Sequence, residues 1–159
     1  MQLLVFRHGI AEDAGPDGTD DSRRLTEEGI KKTKKIVKRL AEFAPEPEVI
    51  LTSPRVRAKQ TADIAADRFG LNPVIDSTLA DYSHESIIET LDQREEQVVM
   101  IVGHEPVLSA LIEQLCTGGE GTHFVQLKKA GCALLDYFPG SVGYAALNWL
   151  VTPKLLLGD

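Results

Sequence analysis

Three short segments of this 159-residue chain carry residue types suited to one chemistry: Phe6-Arg7-His8-Gly9, the stretch from Leu51 to Arg57, and Val102-Gly103-His104-Glu105. Arginine offers a planar fork of donors matched to phosphate oxygens and stays charged at any relevant pH. Neutral imidazole is a competent nucleophile near neutrality. Guanidinium groups nearby disfavour imidazolium, which keeps such a histidine neutral until substrate arrives. A second histidine can donate to phosphoryl oxygens as charge builds there, an effect on the order of 10²–10³ per donor. These residues predict phosphoryl transfer through a covalent phosphohistidine, with His8 as nucleophile.

Residues so far apart must be gathered by the fold, and the flanking patterns say how. Leu3 to Phe6 is a continuous apolar run, the pattern of a strand buried on both faces, and it ends at Arg7. A polar loop with Gly15, Pro16 and Gly18 follows. Thr26 then offers an N-cap with Glu27 and Glu28 in the first turn, and the spacing of Ile30, Val37, Leu40 and Ala44 predicts a helix from about Thr26 to Phe43. Val49 to Leu51 reads as the second strand. Ser53-Pro54 is a helix-start signal, with the hydroxyl as cap and proline at the first helical position; the helix should run to about Phe69, where Gly70 stops it.

Val74-Ile75 is a short strand candidate and Ser86 to Leu91 a short helix, while Ser77 to Glu85 is ambiguous. Gln97 to Val102 is the third buried strand. Glu105-Pro106 opens a helix whose apolar face is Val107, Leu108, Leu111, Ile112 and Leu115. After a glycine-rich break from Thr117 to Gly121 come alternating segments at Phe124 to Leu127 and Cys132 to Phe138, then a strand candidate from Tyr144 to Val151. Strands alternating with helices predict an α/β three-layer sandwich: a mostly parallel central sheet with helices on both faces, within one domain spanning 1–159. In such sheets ligands bind beyond the carboxyl ends of the strands, where all three segments fall.

Composition narrows the partners. The net charge of −7 argues against broad nucleic-acid binding, which needs a basic footprint. No apolar run is long enough to span a bilayer, and no basic leader precedes the first strand, so a soluble cytoplasmic protein is expected. Cys116 and Cys132 lie in apolar stretches and read as buried free thiols, and they cannot supply a zinc site.

Taken in order, Arg7-His8-Gly9, the run Ser53-Pro54-Arg55-Val56-Arg57-Ala58-Lys59-Gln60-Thr61, and Gly103-His104 resemble the histidine phosphatase superfamily, whose fold is that of phosphoglycerate mutase. Arg23-Arg24-Leu25-Thr26-Glu27-Glu28-Gly29 and the short chain resemble its SixA-type phosphohistidine phosphatases. The resemblance covers roughly residues 2 to 115. It implies that His8 accepts the phosphoryl group, that Arg7, Arg57 and His104 hold its oxygens, and that Gly9 and Arg23 lie beside the substrate. Arg55 is then a neighbour and not a ligand. No metal or other cofactor is implied. The implied partner is a phosphorylated protein, of the type of a histidine-containing phosphotransfer domain.

Relatives acting on sugar or glycerate phosphates usually supply a carboxylic acid for the leaving oxygen and an asparagine after Arg-His-Gly; no such asparagine follows here. Asp81 is the best-placed candidate acid. A missing acid costs an alcohol-releasing enzyme about 10²–10⁴ in rate, but far less when the leaving group is an imidazole. The weak acid signal therefore favours phosphohistidine, as does the lack of sequence for a lid. The alternatives are a phosphatase of small esters or of phosphoserine and phosphothreonine, and a catalytically silent phosphate-binding module. His84 and His123 fit no part of the pattern. Lys31, Lys32, Lys34, Lys35, Lys38 and Arg39 read as a solvated helix face, or as a docking face for an acidic partner.

Overall fold

A computed structural model describes residues 1–81, 83–119 and 123–158. The strands are β1 (Gln2–Arg7), β2 (Val49–Thr52), β3 (Val74–Ile75), β4 (Val98–Gly103), β5 (Cys132–Asp136) and β6 (Ala146–Val151). They form a six-stranded sheet in the order β3-β2-β4-β1-β5-β6. Among β1 to β4 every pairing is parallel, whereas β5 runs antiparallel to both β1 and β6. The expected parallel sheet is thus four strands wide with an antiparallel pair added. A short connection without a helical crossover joins β5 to β6, and such a link can only reverse the chain.

Helices α1 (Glu27–Leu40), α2 (Val56–Phe69), α3 (His84–Asp92), α4 (Val107–Thr117) and α5 (Pro153–Leu157) cover the sheet. Strand β1 shows why both faces need cover. Leu3 and Val5 pack with Ile87 and Leu91 of α3 and Leu108 and Leu111 of α4. Leu4 and Phe6 point the other way, against Ile36 and Leu40 of α1 and the alanines Ala58, Ala62 and Ala65 of α2. Each such buried apolar side chain contributes about 1.5–3 kcal/mol relative to exposure.

Helix α1 starts as expected, with the Thr26 hydroxyl accepting from Gly29 N at 2.9 Å. It ends at Leu40, short of Phe43, because Glu42 and Phe43 donate three residues back in turns. Lys31, Lys34, Lys35, Lys38 and Arg39 face solvent, while Ile36 and Val37 are buried. Thr33 lies inward, where Gly9 abuts α1: a Cβ on Gly9 would sit 2.4 Å from Thr33 Oγ1. Only glycine lets the segment after β1 approach that closely.

Several local expectations need correction. Ser53 does not cap α2, whose N-cap is Arg55 without a side-chain bond. The Ser53 hydroxyl instead accepts from Arg55 N and turns toward His104. Phe124 to Leu127 is not a strand: His123 N and Val125 N donate to the Glu113 carboxylate and Leu127 N to Glu105, so side chains replace ladder partners. The ambiguous stretch holds a 3-10 helix at Ser77–Ala80 and the start of α3. Tyr82, and residues 120–122 of the glycine-rich break and its edge, lie outside the described residues. Cys132 is buried as expected, but Cys116 is only half-buried; both are free thiols. Among the described residues no helix is long and apolar enough to cross a membrane.

Candidate active site

Strand register assembles the site. In the β1–β4 pairing Arg7 faces Gly103, so the next residues, His8 and His104, emerge side by side. Their ring centroids are 5.1 Å apart, tilted by 50°. In the β2–β4 pairing Thr52 faces Val102, and Ser53 N continues the ladder to Val102 O at 3.0 Å. Three parallel strand ends therefore deliver His8, His104 and Ser53 to one place.

The tautomer of His8 follows from its two partners. Its Nδ1 lies 2.7 Å from Gly9 O, and a carbonyl can only accept, so the proton sits on Nδ1. Its Nε2 lies 3.3 Å from Arg57 Nε, a group that can only donate. Nε2 must then carry the lone pair. Burial pushes the His8 pKa down to about 4, with Arg57, Arg7 and Lys129 lowering it further and the Gly9 carbonyl opposing. The guanidinium effect anticipated from sequence is present, but desolvation is larger.

Arg57 is buried and spans two segments. Its Nη1 donates to Asp20 O at 2.6 Å and its Nη2 to Asp20 Oδ2 at 2.9 Å. Asp20 Oδ1 in turn accepts from Arg23 Nη1 at 2.8 Å, while Arg23 Nε donates to Glu12 O. These bonds, from Arg23 first and then Arg57, hold the Asp20 carboxyl down at about 2. Arg57, Gln60 and Thr61 stand three and four positions apart on α2 and share one side. Gln60 Oε1 accepts from Leu25 N at 2.7 Å, and Thr61 Oγ1 accepts from Gly9 N at 3.1 Å. One helical face thus fixes the strand end and the loop after it.

His104 is buried, its Nε2 2.8 Å from Ser53 Oγ and its Nδ1 without a partner among the described residues. Its pKa falls to about 2, through burial first and then His8, Arg57 and Arg55. Arg7 Nη1 donates to Leu127 O at 2.8 Å, and its Nε is buried without a described partner. Burial lowers the Arg7 pKa and Glu105 opposes. Arg7 also borders a cavity of about 800 Å³ whose lining includes Glu105, Ser109, Phe124, Gln126, His84 and His123.

The structure therefore brings Arg7, His8, Gly9, Arg57 and His104 together and links Arg23 to them through Asp20. Arg55 is a neighbour of the cluster: it pairs with Asp21 at 3.0 Å, reaches Ala80 O at 3.2 Å, and lies 3.9 Å from Asp20 Oδ2. Asp81 is exposed, and among the contacts of the described residues its carboxylate reaches none of the cluster. Sequence reasoning missed Asp20, whose partner Arg57 lies 37 positions away, and the bond between Ser53 and His104. The acidic doublet before Arg23 was the available signal for Asp20. Among the described residues no cluster of three or more His, Cys, Asp or Glu could hold a metal. What remains is a neutral imidazole whose Nε2 carries a lone pair, ringed by donors: a geometry able to accept a tetrahedral anion.

Comparison with known proteins gives a consistent picture. The model of the histidine phosphatase superfamily (branch 1) matches residues 3–87. An uncharacterized protein of Picosynechococcus is 38% identical over 99% of both chains. The phosphohistidine phosphatase SixA of Escherichia coli is 27% identical, over 96% of this chain and 94% of its own. A structure of the protein histidine phosphatase SixA with tungstate superimposes at a TM-score of 0.82, covering 96% of this chain and 97% of that one at 24% identity, and so shares the fold.

Proposed function

This chain belongs to the histidine phosphatase superfamily, branch 1, and is a hydrolase of that kind; from this premise we propose that it removes phosphate from phosphohistidine on a partner protein, through a covalent intermediate on His8. His8 Nε2 attacks phosphorus in line while the bond to the leaving nitrogen breaks. Arg7, Arg57 and His104 hold the transferring oxygens, with Gly9 and Arg23 beside them. His8 keeps its Nδ1 proton against Gly9 O throughout, so the phosphorylated ring is cationic and leaves as neutral imidazole when water attacks. Such chemistry rests on positioning and charge.

One observation carries the choice of substrate: Asp20, the carboxylate bonded to the cluster through Arg57, is an acceptor and not a proton donor. Asp20 is held ionised by Arg23 and Arg57. Glu105 accepts from Ser109 N, Ser109 Oγ and Leu127 N. Asp81 is exposed. An alkoxide would leave poorly from such a site, whereas an imidazole protonated on its other nitrogen leaves unaided. The name of the Escherichia coli relative agrees with this reading. A histidine-containing phosphotransfer domain is the partner type that fits it.

The test is a panel: a histidine-phosphorylated phosphotransfer domain, a phosphoserine peptide and small phosphate esters, with inorganic phosphate release followed. The phosphohistidine protein is expected to lead by about 10²-fold or more in kcat/KM, the scale of a missing acid. Equal or faster turnover of an ester would replace this reading with an ester phosphatase. Phosphate binding without turnover of anything would make the chain a silent module.

The pH profile is a second expectation. Neutral His8 is the reactive form, and its pKa is about 4. Corrected for spontaneous hydrolysis, kcat/KM should stay level from neutrality to about pH 5 and fall tenfold per unit below about pH 4. An acid limb near the ordinary histidine value would contradict the assignment. Stability has the same sign: His8 and His104 are neutral when folded but protonate near 6.5 when unfolded, so stability declines as pH drops below about 6.5.

A further inference from the structure

Ser53 is buried at the end of β2, three positions before the first residue of α2. Among the described residues its hydroxyl has two contacts: it accepts from Arg55 N at 3.2 Å, and it lies 2.8 Å from His104 Nε2. A serine hydroxyl carries one proton to donate. The backbone N–H of Arg55 cannot receive it, which leaves Nε2 of His104 as the acceptor within reach. A hydroxyl as buried as this one that gave its proton nowhere would forfeit a hydrogen bond at a cost of about 1–3 kcal/mol.

If Ser53 donates to Nε2, that nitrogen holds a lone pair and the proton of the neutral ring resides on Nδ1. His104 Nδ1 is the atom left buried without a partner, beside the His8 ring. The two tautomers differ in kind. With the proton on Nδ1 the ring offers a donor toward the transferring oxygens. With the proton on Nε2 it offers them a lone pair, which repels them. Protonating both nitrogens is no way out, because burial and the neighbouring cations hold the ring neutral.

We propose that Ser53 is a positioning residue that fixes His104 in its Nδ1–H tautomer, so that a neutral donor is in place for the phosphoryl group before substrate binds. The kinetic part of this inference rests on the phosphatase reading above, and the assignment of the proton does not. The same logic gives His8 the same tautomer with a different use: Gly9 O pins the proton to Nδ1 and leaves the bare Nε2 as nucleophile. Two adjacent histidines are thereby divided into one nucleophile and one donor by a backbone carbonyl and a serine hydroxyl. Preorganised donors of this kind avoid reorganisation during the reaction.

The test uses protein labelled with ¹⁵N in histidine. Long-range proton–nitrogen correlation near pH 7 should show His104 with a protonated Nδ1 and a bare Nε2. In Ser53→Ala the pattern should shift toward a proton on Nε2, with kcat down about 10–100-fold and KM little changed, since the donor acts on developing charge. Ser53→Thr, which keeps the hydroxyl, should restore both. A wild-type spectrum with the proton on Nε2 of His104 overturns the proposal, and that spectrum decides even if Ser53→Ala does not fold. So does a loss of kcat in Ser53→Ala with the tautomer unchanged, which would mark a merely structural role. Absence of phosphatase turnover in wild-type protein would sink the phosphatase reading, while the nitrogen spectrum still judges the tautomer.

Discussion

Replacing His8 with asparagine should reduce turnover by on the order of 10⁴–10⁶, the scale seen when a covalent nucleophile is removed. Asparagine is the informative choice because its amide N–H can still donate to Gly9 O from the position of Nδ1 while no atom stands at Nε2, and Arg57 keeps its two bonds to Asp20. The buried guanidinium then keeps a partner, and the loss of activity cannot be assigned to a collapsed site. Thermal unfolding should shift by only a few degrees, since His8 is not a member of either apolar core. Full turnover by His8→Asn in the single-turnover range would remove His8 from the mechanism.

The second large effect is expected at Arg57. Alanine there removes the donor beside His8 Nε2 and both bonds to Asp20, and kcat should fall by about 10²–10³. A change in pH profile should accompany it. Arg57 is among the causes that lower the His8 pKa, so the acid limb in Arg57→Ala should move up from about 4. Lysine should not rescue the variant. One ammonium cannot reach His8 Nε2, Asp20 O and Asp20 Oδ2 together, as the planar fork does. Recovery of wild-type kcat in Arg57→Lys would mean that charge alone matters at this position.

Much of this site was legible before any coordinates, because strand ends are written locally. The apolar run Leu3 to Phe6 stops at Arg7, and Val98 to Val102 stops at Gly103, so the neighbours His8 and His104 follow once those strands pair in parallel. The helix positions Arg57, Gln60 and Thr61 could likewise be placed on one face by periodicity. What was not legible is set by partners distant in sequence. Ser53 followed by Pro54 carries every local mark of a helix cap, and only the packing of β2 beside β4 shows its hydroxyl spent on His104. Phe124 to Leu127 alternates like a strand, yet Glu105 and Glu113 of the preceding segment take up its N–H groups. Asp20 looked like one acid among many in a polar loop. Its role appears only when Arg57 reaches across to it.

Arg7 shows how these distant bonds bear on the site. Its guanidinium is braced by Leu127 O, in the very segment that the α4 carboxylate and Glu105 tie down. The wall that reads as a strand is therefore a clasp for the Arg7 guanidinium, built from side chains and not from a ladder.

The account stands on Nε2 of His8 as the atom that takes the phosphoryl group. Protein mixed with a phosphohistidine substrate, quenched in alkali within a single turnover and mapped by tandem mass spectrometry and ³¹P spectra, tests that atom directly. Phosphate on Nε2 of His8 is the predicted result. Phosphate on Nδ1, on another residue, or free phosphate released with no phosphoprotein formed at any time point would contradict it.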